Sequence, residues 1–339
     1  MLAVSPISHG IPGLRGINPE AVIDLVRQRI HRPAPLGNNG RKLALILEGG
    51  AMRAAAPAGG TLALAHAGME AQFDAIYATS AGAINASYFL SGQGDLGISI
   101  YFDDLTTGRF INPRRLNKIV DVDWVIDELV CLKKPLDVAK ILASPTQFFV
   151  PLIDMENGEA TMIDVKNSSV SVPSVIRAAL ALPVLYNLTV NIDGKDYMDG
   201  GLRIPFPIQQ AIEDGCTDIL LLLSRPEDFV APVPPLWSKL IFELICARGR
   251  KGIRKAFSES HHSSRVSRNL ALGRSAVPSN VNIATICTKE NEAIHRTSVH
   301  RETLIAAATS YGKRTLRILG ADPDGWALGP PEAIHWPGR

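Results

Sequence analysis

Cysteine is scarce: Cys131, Cys216, Cys246 and Cys287 are scattered through 339 residues with no CxxC pair. That spacing excludes a disulfide framework and a cysteine-bound zinc site, and no histidine pair stands at ligand spacing, so a reducing compartment and no metal are expected. Charge of one sign is also lacking, since 35 Lys and Arg face 33 Asp and Glu for a formal +2. No nucleic-acid partner is expected from that balance. Long apolar runs are missing too. The best stretches, Asp218 to Ser224 and Ile176 to Val190, are too short or are interrupted by Arg and Pro, so neither spans a bilayer as a helix. The chain does not open with a charged segment followed by an apolar run, so a secretory signal is not expected and a cytoplasmic location is. Internal repeats and low-complexity tracts are absent. What is present is 46% apolar residues, which excludes disorder and implies a large core in one big domain or two ordinary ones.

Residues 1–40 are interrupted by Pro and Gly and read as an arm, with one helix at Pro19 to Arg29 whose Ala21, Val22, Leu25 and Val26 share a face. Leu43 to Leu47 is a short apolar strand ending in Glu48-Gly49-Gly50, followed by a helix of small residues through Leu62, Leu64 and Ala65. The pattern repeats at once. Phe73 to Thr79 is a strand with Ser80 at its end, and Ala81 to Leu90 is a helix closed by Ser91-Gly92. Consecutive βα units imply a parallel sheet with right-handed crossovers. Tyr101 to about Leu142 reads as helical, with Asp121, Asp123 and Pro135 as start signals. Hairpins follow at Asn157-Gly158 and Asp193-Gly194, a short helix over Ser174 to Leu182 between them, then a helix over Ile208 to Asp214 and a strand over Ile219 to Leu223.

Beyond residue 224 the composition changes. Pro226, Pro232, Pro234 and Pro235 form a breaker, and Trp237, Leu240, Ile241, Leu244 and Ile245 fall on one helical face. Between Arg248 and Arg274, eight Lys or Arg stand against one acid, Glu259. That run reads either as a solvated helix pair covering the sheet or as a dock for an anionic membrane surface. A last strand, Val281 to Ile286, and a helix, Arg301 to Leu319, close the domain.

Chemistry is suggested at three places. In Ala78-Thr79-Ser80-Ala81-Gly82, a serine on a sharp strand-to-helix turn exposes its hydroxyl at the carboxyl end of the sheet, and small neighbours let strand and helix approach. In Glu48-Gly49-Gly50-Ala51-Met52-Arg53, glycines before a helix free backbone N–H groups to face an anion, as an oxyanion hole requires. A nucleotide phosphate loop is the alternative there, although GxGxxG and GK[ST] are both missing. Arg53 could brace the loop or meet a phosphate head group. In Asp199-Gly200-Gly201, a carboxylate is presented at a tight turn, which suits a base and equally suits a surface turn.

Together these segments resemble the patatin-like phospholipase family over roughly residues 42–226. Leu43 to Gly59 is similar to its glycine-rich oxyanion segment, Asp74 to Gly92 to its elbow, and Ile176 to Pro207 to the segment ending in DGG; Arg301 to Leu319 is similar to a tail helix of a bacterial subset. The resemblance implies a three-layer α/β/α sandwich with a mostly parallel central sheet. It divides the chain into an arm (1–40), a catalytic domain (41–320, with an α/β core at 42–226 and a helical, basic part at 227–320) and a tail (321–339). It implies a serine lipid acyl hydrolase without cofactor or metal, with Ser80 as nucleophile and Asp199 as base. Gly49, Gly50, Ala51, Met52, Arg53 and Ala81 would form the oxyanion hole, with Ala78, Gly82, Gly200 and Gly201 supporting elbow and dyad. Ala51, Ala54 and Ala78 stand where the family usually has Gly. At Ala51 a left-handed backbone would cost about 1–2 kcal/mol.

The implied partner is a phospholipid or other lipid ester, with peripheral membrane contact through 248–274. Two other functions fit the residues. An α/β-hydrolase triad could recruit His261, His262, His295 or His300, which follow Asp199 in a permitted order, whereas His66 reads as packed or exposed. A degenerate fold member could bind lipid without turning it over.

Overall fold

Every residue of Leu43–Leu47 is buried, and an apolar run of that length with no polar face suits a strand covered on both sides. The computed structural model describes residues 2–3, 12–30, 40–115, 118–230, 242, 251–292 and 294–329. In chain order its strands are β1 (Leu2–Ala3), β2 (Leu14–Ile17), β3 (Leu43–Leu47), β4 (Ala75–Ala78), β5 (Gln147–Asp154), β6 (Ala160–Asp164), β7 (Val190–Ile192), β8 (Lys195–Asp199), β9 (Asp218–Leu222), β10 (Val277–Pro278) and β11 (Asn282–Ile286). β1 pairs with β10 by itself, and the rest form a nine-stranded sheet in the order β2-β11-β9-β3-β4-β5-β8-β7, with β6 also on β5. β11, β9, β3, β4 and β5 run parallel; β2, β6 and β8 pair antiparallel with their neighbours.

Alternation along the parallel strands separates two cores. Leu43, Leu45, Leu47, Ile76 and Leu220 face one, packed with the helices Pro19–Arg29, Ala55–His66, Gly82–Leu90, Val172–Leu180 and Arg301–Ile318. Ala44, Ile46, Tyr77, Ile219 and Leu221 face the other, covered by Ile208 and Ala211 of the helix Ile208–Glu213 and by Ala271 and Leu272. The fold is therefore a three-layer α/β/α sandwich. On the first side, Ala55–His66 and Arg301–Ile318 cross with no room for a side chain, since a Cβ on Gly59 would lie 2.0 Å from the Ala308 carbonyl oxygen.

Within the segment read as an arm, the helix Pro19–Arg29 lies where expected, but Leu14–Ile17 is an edge strand of the main sheet. Gly16 opposes Ala284 at φ +133, and a Cβ there would be 1.9 Å from Ile283 O. Residues 14–30 thus belong to the body of the domain. Between residues 94 and 143, Gly94–Ser99 runs into the wide π-helical turn Ile100–Asp104, Val122–Trp124 runs into the π-helical Val125–Lys133, and Val138–Ala143 follows. Asp121 caps its helix as expected and Asp137, just after Pro135, caps the next. Asp123 instead binds Arg177, Lys118 and Tyr186.

The breaker residues Pro232, Pro234 and Pro235, the face from Trp237 to Ile245, the side chains of Arg248, Arg250 and Lys251, and the last ten residues of the tail lie outside the described residues. The rest of the basic run forms the helix Lys251–Ala271, which is not uniformly solvated. Lys255 pairs with Glu159, and Arg268 is buried. Among the described residues no helix is long and apolar enough to cross a membrane.

Candidate active site

β5 aligns the elbow and the aspartate. Tyr77 of β4 sits opposite Phe149 in a parallel pair, and Asp199 of β8 sits opposite Leu152 in an antiparallel one. Three residues beyond Tyr77 is Ser80, and three beyond Phe149 is Leu152, so the register carries Ser80 and Asp199 to the same level of the sheet. The strand cannot continue through Ser80. Its φ is +55, a conformation uncommon outside glycine that turns the hydroxyl out of the strand. The turn is crowded, which accounts for its small residues: a Cβ on Gly82 would be 2.6 Å from Leu47 O, and one on Gly49 would be 2.5 Å from the Ser80 Cβ. Ala78 is fully buried in the core below.

Asp199 is 1% exposed. Its carboxylate accepts from the Gly201 N–H at 2.8 Å, and it lines the same cleft as Ser80. Burial pushes its pKa up to about 6, against the lowering effects of the Gly201 N–H, Ser80 and the Arg296 charge. Gly200 and Gly201 allow this placement because a Cβ on the first would meet Pro151 O at 2.3 Å and one on the second would meet Thr79 Cγ2 at 3.0 Å.

The loop after β3 takes the strained path foreseen for it. Gly50 has φ +143 and Ala51 φ +51, so the alanine methyl is carried in a left-handed conformation. The Met52 N–H donates to Arg296 O and the Arg53 N–H to Gly50 O. Those two amides are therefore engaged, whereas the N–H groups of Gly49, Gly50, Ala51 and Ala81 have no hydrogen-bond acceptor among the described residues. Glu48 fixes the loop by accepting from the Ser224 N–H, and the Ser224 hydroxyl donates to Gly49 O at 3.1 Å. Asn85 ties the following helix down through Ala54 O and the Tyr101 hydroxyl.

Two cavities meet at Ser80. One, of about 50 Å³, is walled by apolar side chains including Ile84, Tyr101, Leu105, Phe110 and Leu185. The other is a cleft of about 660 Å³ that contains Asp199, Gly49 and Gly50 together with Arg53, Arg225, Arg268 and Arg296. Ser80, Ala51 and Leu182 line both. His261 and His295 stand on the cleft wall, but neither is a partner of Asp199. His262 lines a separate cavity, and His300 faces Glu302 at the surface. His66 is packed: it accepts from Trp326 Nε1 and meets Asp95.

Sequence reasoning missed Glu48 as a brace, the apolar cavity, and the convergence of Arg225, Arg268 and Arg296. The arginines are far apart in the chain and share no motif, so no sequence signal pointed to their meeting.

Residues 45–212 match the family model described as patatin-like phospholipase. Through that domain the chain belongs to the patatin-like phospholipase family, a family of lipid hydrolases. It is 27% identical over 208 residues to the uncharacterized protein YjjU of Escherichia coli K12, an overlap covering 58% of this chain and 56% of that protein. Among solved structures it is similar to VipD from Legionella pneumophila at 12% identity and a TM-score of 0.41, covering 83% of this chain and 67% of that one. It is also similar to the structure of ExoU with SpcU from the Pseudomonas aeruginosa type III secretion system, at 11% identity and a TM-score of 0.31, covering 81% of this chain and 59% of that one.

Proposed function

We propose that the protein is a serine acyl hydrolase cleaving carboxylic ester bonds of lipids through a Ser80–Asp199 dyad. The observation that carries this reading is that Ser80, on an outward turn, and the buried Asp199 line one polar cleft, which an apolar cavity joins at Ser80. Asp199 takes the Ser80 proton as the oxygen attacks the ester carbonyl, and the leaving alcohol receives that proton as the acyl-enzyme forms. A water activated by Asp199 then releases the fatty acid and regenerates the serine. The free N–H groups of Gly50, Ala51 and Ala81 receive the developing oxyanion, each such donor being worth about 2.7–4 kcal/mol in the transition state. Met52 and Arg53, whose amides are engaged, support the loop instead.

The apolar cavity takes the acyl chain and the cleft takes the alcohol portion of the ester. A histidine triad is disfavoured because the groups acting on the Asp199 carboxylate are Gly201, Ser80 and Arg296, and no histidine. The test compares hydrolysis of a short-chain nitrophenyl ester and of phospholipid micelles by wild type, Ser80→Ala, Asp199→Asn and the His261→Ala/His295→Ala double variant. The dyad requires loss of at least a thousandfold in the first two and retained turnover in the third. Loss in the histidine variant with retention in Asp199→Asn would establish the triad instead.

A further inference from the structure

The proposed chemistry leaves one group of charges unused. Arg53, Arg225, Arg268 and Arg296 reach the cleft from the turn after β3, the end of β9, the helix Lys251–Ala271 and the segment after β11. The acids on the same wall are Glu48 and Asp199. Both are engaged by backbone donors, Asp199 by the Gly201 N–H and Glu48 by the Ser224 N–H. Among the described residues no salt bridge joins either acid to these guanidiniums.

Arg225 and Arg268 are held by uncharged groups, while Arg296 is exposed. Arg268 is 7% exposed; its Nη2 donates to Pro226 O, and its Nε is buried with no partner. The Arg53 Nε is likewise buried with no partner. Arg225 lies over the Phe229 ring, 3.7 Å from its centroid, and Arg268 approaches the same ring at 5.6 Å. An aromatic face positions a guanidinium while leaving its edge donors directed elsewhere. Burial first, and then the neighbouring guanidiniums against the opposing charge of Glu48, push Arg53 down to about 9 and Arg225 down to about 10. Buried cations with unmet donors are costly, and an anion with several acceptor oxygens offsets that cost. A phosphate presents such oxygens to planar guanidinium forks.

We propose that Arg53, Arg225, Arg268 and Arg296 form a receptor for the phosphate group of the substrate, so that phosphate-bearing acyl esters are turned over in preference to neutral acylglycerols. This rests on the acyl-hydrolase reading above. The arrangement matches the substrate along its length: acyl chain in the apolar cavity, ester carbonyl at Ser80, phosphate among the arginines. A basic patch for a membrane surface would be spread over exposed side chains, whereas Arg268 is enclosed within the cleft.

The test compares lysophosphatidylglycerol with monoacylglycerol of the same acyl chain in the same neutral detergent micelles, for wild type and Arg225→Gln, with Arg268→Gln as a second variant where circular dichroism shows it folded. Wild type is expected to favour the phosphate-bearing ester by at least tenfold in kcat/KM, and Arg225→Gln to reduce that preference at least tenfold. Calorimetric titration of glycerol 3-phosphate into the Ser80→Ala protein is expected to show binding that weakens at least tenfold when Arg225→Gln is added. Equal selectivity in wild type and Arg225→Gln, or no glycerol 3-phosphate binding, would overturn the receptor. Inorganic phosphate binding as tightly as glycerol 3-phosphate, with an unchanged substrate preference, would make this a free-phosphate site and overturn the substrate assignment. If wild type turns over no ester at all, the acyl-hydrolase reading fails, and the titration alone judges the receptor.

Discussion

Three non-glycine residues with positive φ gather around the junction of the two cavities: Ser80 at +55, Ala51 at +51, and Val184 at +76 between the wall residues Leu182 and Leu185. Strain of this kind persists where the surroundings over-determine it. At Ser80 it points the proposed nucleophile outward; at Ala51 it aims an amide. The methyl of Ala51 adds cost without contributing to the proposed chemistry. Ala51→Gly should therefore stabilise the protein by about 1 kcal/mol, the relief of left-handed strain exceeding the added freedom of the unfolded chain. Its esterase activity should stay equal or rise. A lower melting temperature in Ala51→Gly would show that the alanine methyl makes packing contacts that outweigh its strain. Gly49→Ala should do the reverse, since its Cβ would fall 2.5 Å from both Ser80 Cβ and Thr79 O; a loss of at least about a hundredfold in kcat is expected, on the scale of a misplaced oxyanion donor.

At the scale of elements, the site depends on strands that carry none of the proposed chemistry. β5 aligns Ser80 with Asp199, and the packed pair Ala55–His66 and Arg301–Ile318 supports the layer beneath the loop after β3. Gly59→Ala should push that pair apart and destabilise the fold by about 1–3 kcal/mol, as overpacking does. A denaturant midpoint unchanged from wild type would contradict the close crossing. The same elements show what could be read from the chain beforehand. β3, β4, the elbow and the helix Pro19–Arg29 were legible because each combines a strong apolar pattern with a turn or cap signal. Leu14–Ile17 was not, because four residues interrupted by Gly16 show no periodicity, and their strand character comes from pairing with a segment more than 260 residues away. Ser80 and Asp199 were legible as motif residues. The arginine cluster and the apolar cavity were not, because they arise only when β3, β9, β11 and two helical segments converge.

For the whole molecule, the buried Asp199 links activity and stability to pH with opposite signs. Its carboxylate must be ionised to accept the serine proton, so kcat/KM should fall as pH drops through about 6. Folding prefers the protonated form, because the native pKa is raised above the unfolded value of 3.8. The stability this contributes is complete below that value and lost as pH rises through about 6. Asp199→Asn should consequently melt higher than wild type at neutral pH, by a free energy on the order of 3 kcal/mol, with the advantage vanishing near pH 4. Melting curves of both proteins across that range decide the point, and an Asn variant less stable at neutral pH would mean that the carboxylate is not desolvated.

The central claim is that Ser80, activated by Asp199, forms a covalent acyl-enzyme. Its most direct test is reaction of the folded protein with a fluorophosphonate, followed by intact mass and peptide mapping. The account requires a single adduct on Ser80, formed at a rate that declines through about pH 6 and is lost in Asp199→Asn. A folded protein that remains unlabelled, or an adduct on any other residue, would contradict it.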